Sequence, residues 1–98
     1  MAESFSISRV GLKKELIALG AKDMSVEAFL ASLDKMHRHI NVILFAGMLR
    51  KIGLRQYDIG NILRRMGIDD VTIVSIFNAL DEERIQSTFG KVVELKVD

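Results

Sequence analysis

Apolar residues recur at helical spacing over most of the chain, and the period changes to strand-like alternation near its end. Ser8 suits the N-cap of a first helix in which Val10, Ile17 and the neighbouring leucines run to Leu19, and Gly20 marks the stop. Ser25 opens a second helix, with Val26, Phe29, Leu30, Leu33 and Met36 repeating at three and four. Asn41 suits the cap of a third helix that runs through Ile52 and closes at Gly53. Met36, Ile40 and Leu44 continue the same stripe, however, so residues 26–52 read equally well as one long helix. A helix over residues 56–66 carries Ile59, Ile62 and Leu63 and ends at Gly67. Asp69 or Asp70 then caps the last helix, whose Ile73, Ile76, Phe77 and Leu80 follow the i, i+3, i+4, i+7 pattern of an amphipathic face.

Residues 84–88 and 92–97 flank Phe89-Gly90-Lys91 and predict a C-terminal β-hairpin. Parity selects its register. A two-residue loop would put Ile85 on one face with Glu94 and Lys96, whereas a three-residue loop gathers Ile85, Val93, Leu95 and Val97 and leaves Gln86, Thr88, Glu94 and Lys96 opposite. A slip of one residue flips every side chain, so the three-residue loop is favoured. The fold class expected is mainly α with a C-terminal β-hairpin.

Composition narrows the class further. The chain has no cysteine, which leaves neither disulfides nor thiolate metal sites. With no proline and 49% hydrophobic residues, its 98 residues predict one ordered domain. Residues 40–49 are the most apolar run, about half of what spans a bilayer, and predict a buried helix rather than a membrane segment. The first residues lack a basic end followed by an apolar run, so no signal peptide is expected and the address implied is cytoplasmic. The formal net charge of +1 hides an asymmetry. Residues 35–65 hold seven Lys/Arg against Asp58 alone, a net +6, while residues 1–34 carry −1 and residues 66–98 carry −4. Such a division suggests a basic surface for an anionic partner beside an acidic one, or charge scattered over solvated helix faces.

Helix, helix, turn, helix and hairpin over residues 41–98 resemble the winged helix-turn-helix domains of small prokaryotic regulators and plasmid-partition proteins. The resemblance is carried by Gln56 at a helix start, the small Gly60 inside that helix, the turn Gly67 followed by Ile68, and Thr72-Ile73 opening the next helix. The acidic run Asp81-Glu82-Glu83 leading into Arg84-Ile85 is similar to the family's approach to its first wing strand. The resemblance implies that helix 69–83 lies in the DNA major groove, with Val71, Thr72, Val74, Ser75 and Asn78 facing bases. Arg55, Gln56, Arg64 and Arg65 would contact phosphates, and Lys91 at the wing tip would approach a neighbouring groove. Asn pairs adenine, Ser and Thr serve either base, and aliphatics contact thymine methyls. Sequence-specific binding of double-stranded DNA, in transcriptional regulation or partition, is the function implied, and the protein would be associated with nucleoid or plasmid.

One departure opens a second reading. Helix 69–83 has no Lys or Arg, and Asp69 and Asp70 stand at its N-terminus, where a phosphate would otherwise be welcome. Aspartates there also cap a helix well. A winged helix that docks on a protein partner through Val71 and Val74 accounts for the same residues. His37 and His39 flank Arg38, and on a helix residues two apart do not face each other, so no metal site is expected of them. No cofactor and no enzymatic chemistry are implied. The helices of residues 1–40, an extension to the winged helix of residues 41–98, carry Leu12, Leu16, Ile17, Leu19, Phe29, Leu30 and Leu33. Dimerisation through them, or packing over the third helix, would cover that apolar surface.

Overall fold

The helical stripes become five helices, and segments outside them form a small sheet that the periodicity did not announce. The computed structural model describes residues 3–82 and 91–97. In chain order these form β1 (Glu3–Ser8), α1 (Arg9–Ala18), α2 (Asp23–Lys35), β2 (His39–Asn41), α3 (Val42–Lys51), α4 (Gln56–Arg65), α5 (Asp70–Asp81) and β3 (Lys91–Lys96). No helix among the described residues is long and apolar enough to cross a membrane.

Several helix starts follow from single side chains. Ser8 Oγ accepts the Gly11 N–H at 3.1 Å, Asn41 Oδ1 the Ile43 N–H at 2.8 Å, and Asp69 Oδ1 the Thr72 N–H at 2.9 Å. Each satisfies an N–H that the helix itself leaves unpaired. Asp69, not Asp70, is therefore the cap of α5. The second helix begins at Asp23 rather than Ser25, with Lys22 as a cap that makes no side-chain bond. A carboxylate in the first turn favours that earlier start through the helix dipole.

The helix ends share one device. After α4, the Gly67 N–H donates to the Arg64 carbonyl at 3.0 Å and the Ile68 N–H to the Leu63 carbonyl at 3.2 Å, with Gly67 at φ +94°. This is the Schellman closure, and the apolar residue after the glycine folds back over the helix. Gly20-Ala21 and Gly53-Leu54 close α1 and α3 by the same pair of bonds. So does α2, but with His37 in the glycine's place. The His37 N–H reaches the Asp34 carbonyl at 3.1 Å and the Arg38 N–H the Leu33 carbonyl at 2.9 Å, with φ 58° at both His37 and Arg38. Residues 26–52 are thus two helices, separated by that turn and β2. The two histidines are not on a helix at all: His37 is the left-handed residue of the turn, His39 begins β2, and both are exposed.

The sheet has the order β1-β3-β2. β3 lies in the middle, parallel to β1 (Phe5↔Val93, Ile7↔Leu95) and antiparallel to β2 (Ile40↔Val93). The alternation expected of the last strand holds for Val93 and Leu95, which are buried. Val97 lies beyond β3 and is exposed. Among the described residues the partners of β3 come from elsewhere in the chain: β1 flanks one side over its whole length and β2 the other over Val92 to Glu94. Residues 84–88, the expected first strand, lie outside the described residues.

The apolar run of residues 40–49 forms the centre of the core. Val42, Ile43, Phe45, Ala46 and Leu49 of α3 are buried, and the Phe45 ring packs on Phe29 with centroids 5.9 Å apart. Leu12, Leu16, Phe29, Leu30 and Leu33 of α1 and α2 belong to the same buried cluster, which leaves only Ile17 and Leu19 of the N-terminal set exposed. The first forty residues therefore pack largely on the rest of the chain, with Val10, Ile17, Leu19 and Met24 left exposed on their outer side.

Candidate nucleic-acid interface

The stretch from Arg55 to Asn78 folds as helix, tight turn, helix. α4 buries Ile59, Gly60, Ile62 and Leu63, and α5 buries Ile73, Ile76, Phe77 and Ala79. A helix with one face buried offers the opposite face to solvent. On α5 that face is Val71, Val74, Ser75 and Asn78, all exposed and spaced i, i+3, i+4, i+7, with Thr72 half-buried beside them. Val71 keeps 78% and Val74 58% of its surface open, an unusual exposure for two valines. The Ser75 hydroxyl donates to the Val71 carbonyl at 3.2 Å, within its own helix.

The expected phosphate contacts divide among three places. Gln56 shares a groove between α4 and α5 with Tyr57, Val74 and Phe77, so it stands next to the α5 stripe. Arg55 is the extended residue before α4, exposed, with Nε 3.7 Å from Asp58. Arg64 reaches α5 itself: its Nε donates to Asp70 Oδ1 at 2.6 Å, and its NH1 to Asn61 Oδ1 at 3.0 Å. Arg65, one residue on, points to α1 and pairs with Glu15 at 2.9 Å. It is not gathered with the α5 stripe. Lys91 stands at the start of β3, half-buried, its Nζ 5.8 Å from the Phe5 ring centroid, and the rest of the expected wing tip lies outside the described residues.

Electrostatics around the N-terminus of α5 follow from these contacts. Hydrogen bonds from the Thr72 side chain and backbone hold the Asp69 carboxyl below its ordinary range, and the Lys91 charge adds to the effect. Asp69 thus remains ionised beside Asp70, and the half-exposed Arg64 guanidinium is bound to Asp70 and Asn61. One residue matters here that the sequence pattern did not single out, and another takes a role it did not foresee. Tyr57 is 75% exposed next to Val74. Its signal was its absence from the Ile59, Ile62, Leu63 stripe. Asp70 is the partner of Arg64, an ion pair between residues six apart across a turn, for which no helical spacing rule exists.

Among the described residues no three of His, Cys, Asp and Glu gather as a metal site would require, and no buried side-chain polar atom lacks a hydrogen-bond partner. Comparison of the chain with protein-family models, curated proteins and solved structures finds no match in any of the three.

Proposed function

We propose that the protein is a sequence-specific DNA-binding module of the winged helix-turn-helix kind, acting as a homodimer in transcriptional regulation or partition. α5 serves as its recognition helix. The observation that carries this reading is the outer stripe of α5. Val71, Val74, Ser75 and Asn78 are presented together by a helix whose other face is locked into the core through a short, glycine-closed turn. That stripe combines an amide, a hydroxyl and two aliphatic groups, the chemistry that reads base edges and thymine methyls. Arg55 and Gln56 at the start of α4 and Arg64 at its end flank the stripe as phosphate contacts.

Selection from random duplex DNA, followed by titration at several salt concentrations, tests it. Replacing Arg55 and Arg64 by Gln should weaken binding to every sequence alike. It should flatten the salt dependence by about one unit of slope for each phosphate no longer neutralised. Asn78→Ala should cost about 1–3 kcal/mol on the selected site and little on random DNA, since it removes a base-reading amide but no charge. Equal weakening on both would remove α5 from base reading, and a flat selection without salt-sensitive binding would sink the proposal.

A second reading, a protein-docking adaptor, draws on a separate observation. The arginines nearest α5 are already paired with carboxylates, and Tyr57, Val71 and Val74 leave an exposed apolar strip with Phe77 and Ile73 in the groove beside it. Capture of a protein partner that is abolished by Val74→Asp, with no DNA selected, would favour it.

A further inference from the structure

Among the described strands β1 and the three-residue β2 are the outer ones. β1, the longer, pairs through one side with β3 along all six of its residues, and no described strand covers the other side. Proteins normally blunt such an edge with lysine, proline or a bulge, because its unpaired N–H and C=O groups template further strands. Residues 4–8 read Ser-Phe-Ser-Ile-Ser and contain none of these. The inward side chains of β1 are also incompletely covered. Phe5 and Ile7 are half-buried, although their register partners Val93 and Leu95 are buried.

Space for another strand lies alongside. A groove runs from Ser6 and Ile7 to Gly11, Lys14 and Ala18 of α1, and Arg65 stands at its end. Two of the α1 residues that line it, Gly11 and Ala18, have almost no side chain.

The strand is self-complementary. In an antiparallel pair, directly opposite residues project from the same face of the sheet. A two-fold axis normal to the sheet therefore pairs positions of equal parity only. With Ser6 on the axis, Phe5 faces Ile7 of the second copy and Ser4 faces Ser8, so apolar meets apolar on the inner face and hydroxyl meets hydroxyl on the outer. An axis at Phe5 would instead set Ile7 against Glu3, and one at Ile7 would set Phe5 against Arg9. Only the Ser6 register keeps like with like.

We propose that β1 is the homodimer interface of this protein, adding to β1 of a second copy with Ser6 on the two-fold axis and joining the two sheets into one. This names the contact of the homodimer in the proposed function. It rests on the sheet edge alone, so its failure and that of DNA binding are read separately.

The oligomeric state of the full chain, without nucleic acid, is measured by sedimentation between roughly 1 and 100 μM. A dimer of twice 11.0 kDa is expected. Ser6→Lys sets two ammonium groups against each other across the axis and should raise the dissociation constant by roughly tenfold or more. Ser6 is exposed on the outer face of the monomer, so the circular dichroism spectrum and thermal melt should not change. Because the chain has no cysteine, Ser6→Cys offers an independent readout. Mild oxidation should cross-link S6C as a covalent dimer, opposite Cα atoms in a ladder being within disulfide reach. The highly exposed Met24→Cys should remain uncross-linked under the same conditions. A wild-type monomer throughout the range would overturn the proposal. So would a dimer that withstands S6K, or one in which S6C does not cross-link.

Discussion

Asp70→Asn should strengthen DNA binding, and the size of the gain can be worked from one ion pair. Arg64 is the cation nearest the recognition stripe, and its Nε lies 2.6 Å from Asp70. A phosphate approaching Arg64 competes with that carboxylate and is repelled by it. Both side chains are more than half exposed, so the ion pair itself is worth at most about 1 kcal/mol to the fold. Removing the carboxylate charge frees Arg64 and removes one unit of repulsion at about 4 Å in a watery setting. That is worth on the order of 1 kcal/mol, or about fivefold in affinity. One additional phosphate contact steepens the salt dependence by about 0.9, so a fourfold rise in salt should erase about 3.5-fold of the gain.

Fluorescence anisotropy on a selected duplex and a random one, at about 50 and 200 mM salt, measures both quantities. The gain should be equal on the two duplexes, because a phosphate contact carries no sequence. Stability should fall by less than about 1 kcal/mol, since Asp69 and not Asp70 caps the helix. Affinity unchanged at both salts, or a gain independent of salt, would refute the assignment of Arg64 to phosphate.

Three further outcomes follow from the fold. A Cβ added at Gly47 in α3 would lie 3.1 Å from Leu80 Cδ1, the far end of a flexible, half-buried side chain. Gly47→Ala should therefore stabilise by about 0.5 kcal/mol in chemical denaturation, as helix propensity outweighs the small shift, and a loss above about 1 kcal/mol would show Leu80 to be held rigidly. His37 occupies a left-handed position at φ 58°, so His37→Gly should be neutral or gain up to about 1 kcal/mol, and clear destabilisation would mean the imidazole makes a stabilising interaction of its own. The Asp69 carboxyl titrates below its ordinary value of 3.8 when folded, so its contribution is complete above that value and is lost as pH falls through the lower, folded one. Asp69→Asn keeps a capping oxygen but no proton to bind, and its stability should decline less steeply than wild type from pH 5 to 3, measured by urea midpoints.

The legible parts of this chain were those specified by local chemistry. Helix starts at Ser8, Asn41 and Asp69 and stops at Gly20, Gly53 and Gly67 could be read because caps and left-handed closures act within a few residues. The stop of α2 was illegible for the same reason: the turn uses the closing bonds of the others but carries His37 where glycine is the signal. The sheet lay beyond local reasoning. β3 joins residues from opposite ends of the chain, and a strand as short as His39–Asn41 has no period to detect. The alternation in Ser4-Phe5-Ser6-Ile7-Ser8 was present in the sequence, but no turn signal beside it offered a partner. At the candidate interface the exposed stripe of α5 could be read as the complement of Ile73, Ile76 and Phe77. The pairing state of its neighbouring arginines could not.

That pairing changes what the charge asymmetry means. Along the chain, a basic middle segment faces an acidic end, which suggests two surfaces of opposite sign. In space the two segments meet at two ion pairs. Arg64 pairs with Asp70 at the N-terminal end of α5, and Arg50 pairs with Asp81 at 3.1 Å at its C-terminal end. Arg65 takes a third carboxylate, Glu15, from α1. α5 is thus clipped at both ends by arginines from the two helices it packs on, and two of the segment's seven cations serve to position that helix. These pairs are exposed and individually weak, so they orient more than they stabilise. The same weakness makes them exchangeable: a phosphate backbone can displace Asp70 or Asp81 at small cost, and a low-salt buffer would strengthen both competitors alike. On the proposed DNA-binding reading, affinity in this protein would be set by a competition between internal carboxylates and phosphate for the same few arginines. Its non-specific binding should be weak for a chain with so basic a centre, leaving the uncharged stripe of Val71, Val74, Ser75 and Asn78 to decide which sequences are held.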